Sequence, residues 1–167
     1  MRKLNILKTI VDFFWIMSLP IVPIILFFIP AIFFIEDLDF IPIKVNGLEI
    51  MASDNPSKII TVFVLISYLL LLYIVYLFKN ILRYFKSVKM FDDYVIVNLN
   101  KIGYLLIICS FLNGVPSFIY KLIKHKLSIE ISISPFILLI SLGLFFMILS
   151  EVFKISKTMK EENELTV

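Results

Sequence analysis

Four stretches of the chain carry no charged residue: 13–35, 59–78, 102–120 and 131–150, which are 23, 20, 19 and 20 residues long. A helix needs roughly 20 apolar residues to cross the hydrocarbon core of a bilayer. A helix on the surface of a soluble protein shows a polar stripe toward water, and within these runs apolar residues occupy every side. The pattern predicts an all-α membrane protein with four transmembrane helices, at about 10–35, 59–84, 93–123 and 134–158 in one transmembrane domain spanning 1–167. Pro20, Pro23 and Pro30 are expected to bend the first helix and Pro116 the third, because proline cannot donate the i→i−4 bond and its ring crowds the preceding turn.

The segments between the runs have patterns of their own. Between the first two helices, Phe40-Ile41-Pro42-Ile43-Lys44-Val45 and Leu48-Glu49-Ile50-Met51 flank Asn46-Gly47. Asn-Gly tolerates positive φ at both positions of a two-residue turn, so a small extracytoplasmic β-hairpin is expected there. Between the second and third helices nothing breaks the helix after Phe78, which is expected to continue through Phe85. Asp92 is then placed to cap a new helix from Asp93, with Phe91 before it as a hydrophobic staple. Val95, Leu99 and Ile102 recur at steps of four and three, one helical face. Asn98, Asn100 and Lys101 are expected on the other.

Composition strengthens the membrane reading. The chain is 60% hydrophobic, against about 45–50% for a soluble domain. The net charge of +3 is modest, and its distribution is more informative. With the N-terminus inside, eleven Lys and Arg fall in inner segments: Arg2, Lys3, Lys8, Lys79, Arg83, Lys86, Lys89, Lys101, Lys154, Lys157 and Lys160. Five fall outside: Lys44, Lys58, Lys121, Lys124 and Lys126. The positive-inside rule then puts both termini in the cytoplasm of a multi-pass protein of the cell membrane. The first run is too long for the apolar region of a signal peptide and lacks a small-residue cleavage pattern, so it reads as an uncleaved helix. The basic inner surface suits anionic lipid. Asp92 and Asp93 interrupt it, and direct nucleic-acid binding is not expected.

Polar groups in the apolar runs are where a transport function would show. Asp12 and Glu151 sit at the inner edge of the first and fourth runs, placed to pair with Lys8 and with Lys154 or Lys157. Asn113, Pro116 and Glu151 are the candidates for an intramembrane polar site. Asn113, with Ser110, Gly114 and Ser117 near it, also reads as packing between helices. The single cysteine, Cys109, lies in the third run and reads as a small apolar residue. His125 stands alone in a loop, and a metal site needs three or four ligands. No phosphate-binding loop or catalytic set can be assembled. The chain is not expected to be an enzyme or to hold a cofactor or metal.

Two stretches support a resemblance. Met90-Phe91-Asp92-Asp93 precedes Asn100-Lys101-Ile102-Gly103-Tyr104, and Ser150-Glu151-Val152-Phe153-Lys154 precedes a tail ending Glu161-Glu162-Asn163-Glu164-Leu165-Thr166-Val167. The sequence resembles the bacterial family known as domain of unknown function 2975. The resemblance implies a four-helix membrane protein often encoded beside a small helix-turn-helix regulator. It suggests a membrane protein that binds or sequesters that regulator through inner-side residues: Phe91 and Asp92 before the third helix, and Glu161, Glu162 and Glu164 in the tail. The alternative is a small transporter, channel or immunity-type protein acting within the bilayer around Asn113 and Pro116.

Overall fold

The computed structural model describes residues 2–34, 43–45, 48–50, 55–87, 90–123 and 135–165. Among these described residues five helices run α1 (Arg2–Ser18), α2 (Ile21–Phe34), α3 (Asn55–Lys86), α4 (Asp93–Ile123) and α5 (Pro135–Leu165). α1 and α2 together make one apolar span, so the architecture is four helical spans, each long and apolar enough to cross a membrane. Two three-residue strands, β1 (Ile43–Val45) and β2 (Leu48–Ile50), pair antiparallel with Ile43 opposite Ile50 and Val45 opposite Leu48. They are too short to form a layer of the fold. The Asn46-Gly47 turn expected between them, and residues 40–42 and 51 of the expected hairpin, lie outside the described residues.

The first span is broken where expected and at one proline only. Pro20 has no N–H to give, and α1 closes before it, with Leu19 N bonded to Ile16 O at 3.3 Å and Ser18 Oγ donating to Trp15 O at 2.7 Å. Pro23 falls in the first turn of α2, where N–H groups have no intrahelical acceptor, and is accommodated there. Pro30 and Pro116 lie inside continuous helices.

The spans reach further than the apolar runs. α1 begins at Arg2 rather than near residue 10, since residues 2–9 contain no glycine or proline. α3 starts at Asn55, with Pro56 in its first turn. α5 extends to Leu165 instead of ending near 158. Its last turns are built from good helix formers, and two i,i+4 pairs support them: Lys157–Glu161 and Lys160–Glu164, each at 3.6 Å. The charged tail is thus helical as far as Leu165.

Packing follows chain order: α1 and α2 lie on α3, α3 on α4, and α4 on α5. α5 also touches α3 through the ring pairs Phe78–Phe146 and Phe85–Phe153, with centroids 6.0 and 5.9 Å apart. The buried core runs through α3 and α4: Ile74, Leu77, Ile81, Val95, Leu99, Ile102, Leu106 and Cys109. The Val95, Leu99 and Ile102 face is therefore core. Asn98, expected on the opposite face, is also buried, its Nδ2 donating to Tyr94 O at 2.7 Å.

Candidate functional site

Two regions hold the residues singled out from the sequence. The first is a polar seam inside the apolar spans, between α3 and α4. Asn113 Nδ2 donates to Ser67 Oγ across the helix pair and to Cys109 O one turn back, at 2.9 Å for the latter. Ser117 Oγ donates to Asn113 O at 2.7 Å, beside Pro116. Cys109 Sγ lies 3.7 Å from Ser67 O, and Ser57 Oγ lies 3.5 Å from Tyr120 Oη. Asn113 is thus committed to helix–helix bonding. Glu151 stands apart from this seam, exposed on α5, so the structure does not bring Asn113, Pro116 and Glu151 together.

The contact between α4 and α5 was not foreseen. It has a seven-residue register on both helices: Ile96, Gly103 and Ser110 face Ser150, Gly143 and Phe136. Ser150 Oγ donates to Ile96 O at 2.7 Å, and Ser110 Oγ donates to Phe136 O at 2.8 Å. Between these bonds the two glycines meet. A Cβ on Gly103 would lie 2.7 Å from Gly143 O, and one on Gly143 would lie 2.8 Å from Gly103 O. The backbones approach closely only because neither residue has a side chain. The spacing of Gly103, Ser110 and Ser117, and of Gly143 and Ser150, was a signal available in the sequence.

The second region is the end of the molecule where α3 ends, α4 begins and α5 ends. Asp92 caps α4: its Oδ1 accepts from Tyr94 N at 2.8 Å, while Asp92 O accepts from Val95 and Ile96 N. Phe91 packs edge-on against Phe153 of α5 at 5.7 Å. Tyr84 and Tyr94 stack at 4.5 Å, joining α3 to α4. Lys157 of α5 donates to Asp93 Oδ2 at 2.5 Å and also pairs with Glu161. So Lys157 turns to α4, not to Glu151. Through it, the Phe91–Asp93 turn and Glu161 of α5 form one neighbourhood. Glu161, Glu162 and Glu164 are all exposed there.

Between the two regions lies a belt of charges and rings. Asp12 meets Lys79 of α3 at 3.5 Å instead of Lys8 one turn before it, and its Oδ1 is buried with no hydrogen bond at that distance. Lys79 also lies over Trp15 at 5.9 Å, and Trp15 packs on Tyr76. Lys101 donates to Tyr73 Oη at 2.8 Å. Lysines and amphipathic rings of this kind collect at membrane–water interfaces in general. Past this belt α3, α4 and α5 continue as a packed extension.

Four apolar spans, a polar seam used for helix contact and an aromatic–lysine belt define a multi-pass membrane protein. The chain belongs to the family described as protein of unknown function DUF2975, matched over residues 12–167. No curated protein and no solved structure matches it.

Proposed function

We propose that this protein is a non-enzymatic regulator in the bacterial cell membrane that holds a small helix-turn-helix transcription factor at its cytoplasmic end. Both termini and the α3–α4 connection would lie in the cytoplasm, as the excess of Lys and Arg favours, with the paired strands outside. The observation that carries the reading is the exposed acidic end of α5 beside the packed Phe91–Asp93 turn. Glu161, Glu162 and Glu164 sit where the helix dipole is already negative, with no basic residue in the last turn. Glu161 and Glu164 pair with Lys157 and Lys160 one turn back, and all three glutamates remain exposed to a cationic partner surface. Phe91 and Asp92 serve the turn itself, as ring contact and cap, so the contact surface is the glutamate end. A role within the bilayer would call on Asn113, whose amide is already bonded to Ser67 and Cys109.

The test is to read the neighbouring genes for a small helix-turn-helix protein and to co-purify it with the full chain; no such neighbour also counts against the proposal. Changing Glu161, Glu162 and Glu164 together to Lys is expected to abolish capture while the protein keeps its helix content. Undiminished capture by that variant overturns the proposal.

A further inference from the structure

α3 carries neighbouring helices on two of its faces. On one, Phe28 and Ile32 of α2 pack with Val62 and Leu65, and Trp15 of α1 packs on Tyr76. On the other, Ser67 meets Asn113 of α4, and Ile74, Leu77 and Ile81 join the core that α3 and α4 share. Ile66 stands about 100° round the helix from both Leu65 and Ser67, so it falls between the two faces. It belongs to an open strip of α3: Ile59, Phe63, Ile66, Tyr73 and Tyr76, at steps of four, three, seven and three, which keep to one side of a helix. All five are between 36% and 51% exposed. The strip is ordered by polarity. Three apolar side chains come first, then two tyrosines whose rings stack at 6.2 Å.

Lys101 of α4 closes the tyrosine end. Its Nζ donates to Tyr73 Oη at 2.8 Å and lies 5.1 Å from the ring centroid. The ammonium has two further N–H groups, and the phenol, which accepts this bond, keeps its own O–H to donate. Among the described residues no carboxylate pairs with Lys101: Asp12 is held by Lys79 and Asp93 by Lys157. The end of the strip therefore carries one uncancelled positive charge and two adjacent donor groups, a set that two oxygens of one phosphate group can bridge. The surroundings are apolar. Lys101 stands directly before the charge-free run 102–120, and Tyr73 lies inside the charge-free run 59–78. From Tyr73 to Phe63 the helix rises about 15 Å, half of the roughly 30 Å hydrocarbon core of a bilayer and so the length of one leaflet's chains.

We infer that Tyr73 and Lys101 bind the phosphate of an anionic phospholipid, with an acyl chain laid along Ile66 and Phe63. A water-soluble anion answers the two donors and leaves the apolar strip uncovered. An uncharged membrane helix covers the strip and leaves Lys101 without a counter-charge. A phospholipid answers both in one molecule. Charge selects an anionic lipid over a zwitterionic one, because Asp12, Lys79 and Lys101 together leave a single positive charge. Lys79 is already spent on Asp12 and on the Trp15 ring, which makes Lys101 the residue that recognises the headgroup. The inference goes beyond the regulator reading and does not rest on it.

The test is native mass spectrometry of the full chain in mild detergent, with phosphatidylglycerol, phosphatidylethanolamine or inorganic phosphate added. The unsubstituted chain is expected to retain phosphatidylglycerol in preference to the other two. Lys101→Gln is expected to retain about fivefold less of it, the factor one lysine contributes near an anionic headgroup. Tyr73→Phe is expected to weaken retention, and Lys101→Arg to preserve it. Lys154→Gln, which removes an exposed lysine of α5, is expected to change nothing. As a second measure, Ile66→Trp keeps every charge and fills the strip, and is expected to reduce retention at unchanged helix content. Equal loss from Lys101→Gln and Lys154→Gln, equal retention of the two lipids, or inorganic phosphate bound in place of lipid overturns the inference. So does retention that Ile66→Trp leaves untouched.

Discussion

The α4–α5 pair and the α1/α2 span are both apolar enough to cross a membrane, yet they join the molecule differently. α4 and α5 meet backbone to backbone at Gly103 and Gly143, flanked by serine bonds to opposite carbonyls. α1 and α2 contain no glycine. α1 buries none of its residues, and α2 buries only Ile25 and Ile32. Phe13, Phe14, Phe27 and Phe34 are among the most exposed side chains. The contrast shows what drives association in lipid. Apolar side chains gain nothing by leaving hydrocarbon for a helix interface, so tight contact comes from small residues and interhelical hydrogen bonds. Past the aromatic–lysine belt Ile81, Leu82, Val95 and Leu99 are buried, and where water is the surrounding solvent such burial contributes about 2 kcal/mol apiece.

Substitutions can break that contrast, and their effects should fall in a definite order. Gly143→Leu is expected to cost most, about 3 kcal/mol, by forcing the α4 and α5 backbones apart. Reversible unfolding in mixed micelles would measure it, and a loss below that of an exposed-face change would refute the close-approach account. Asp92→Ala comes next at about 1 kcal/mol, from loss of the α4 cap. Asp92→Asn should keep most of the stability, so equal losses for the two would point to something other than capping. Asn113→Leu removes a single interhelical bond and is expected to cost about 0.6 kcal/mol. A cost several times larger would mean that the amide does more than join α3 to α4. Phe27→Ala, on the exposed face of α2, should stay within about 0.5 kcal/mol. If it matched Gly143→Leu, the distinction between the two spans would collapse.

Particular residues show why some of this was readable in the sequence. The start of α4 at Asp93 was legible because capping is local: Asp92 needs only the N–H two residues on. The buried face of Val95, Leu99 and Ile102 was legible from helical periodicity. Ion pairs were not. Asp12 looked suited to Lys8 and Glu151 to Lys154 or Lys157, because sequence reveals only neighbours on the same helix. In the fold, Asp12 meets Lys79 and Lys157 meets Asp93, partners 67 and 64 positions away. The candidate site was split in the same way: its acidic residues could be named, but the link that Lys157 makes between α4 and α5 could not.

The chain by itself determines four spans, because bilayer thickness fixes the length of an apolar helix and charge is costly within it. It also marks Pro20, Pro23 and Pro30 as places where the first span can bend, and the fold breaks the helix only at Pro20. Tertiary structure alone decides that Gly103 lies on Gly143 and that Asn113 is spent on Ser67. Those are properties of two surfaces meeting in register. Seven-residue spacing on a single helix marks a seam, but only the partner helix shows which seam is used.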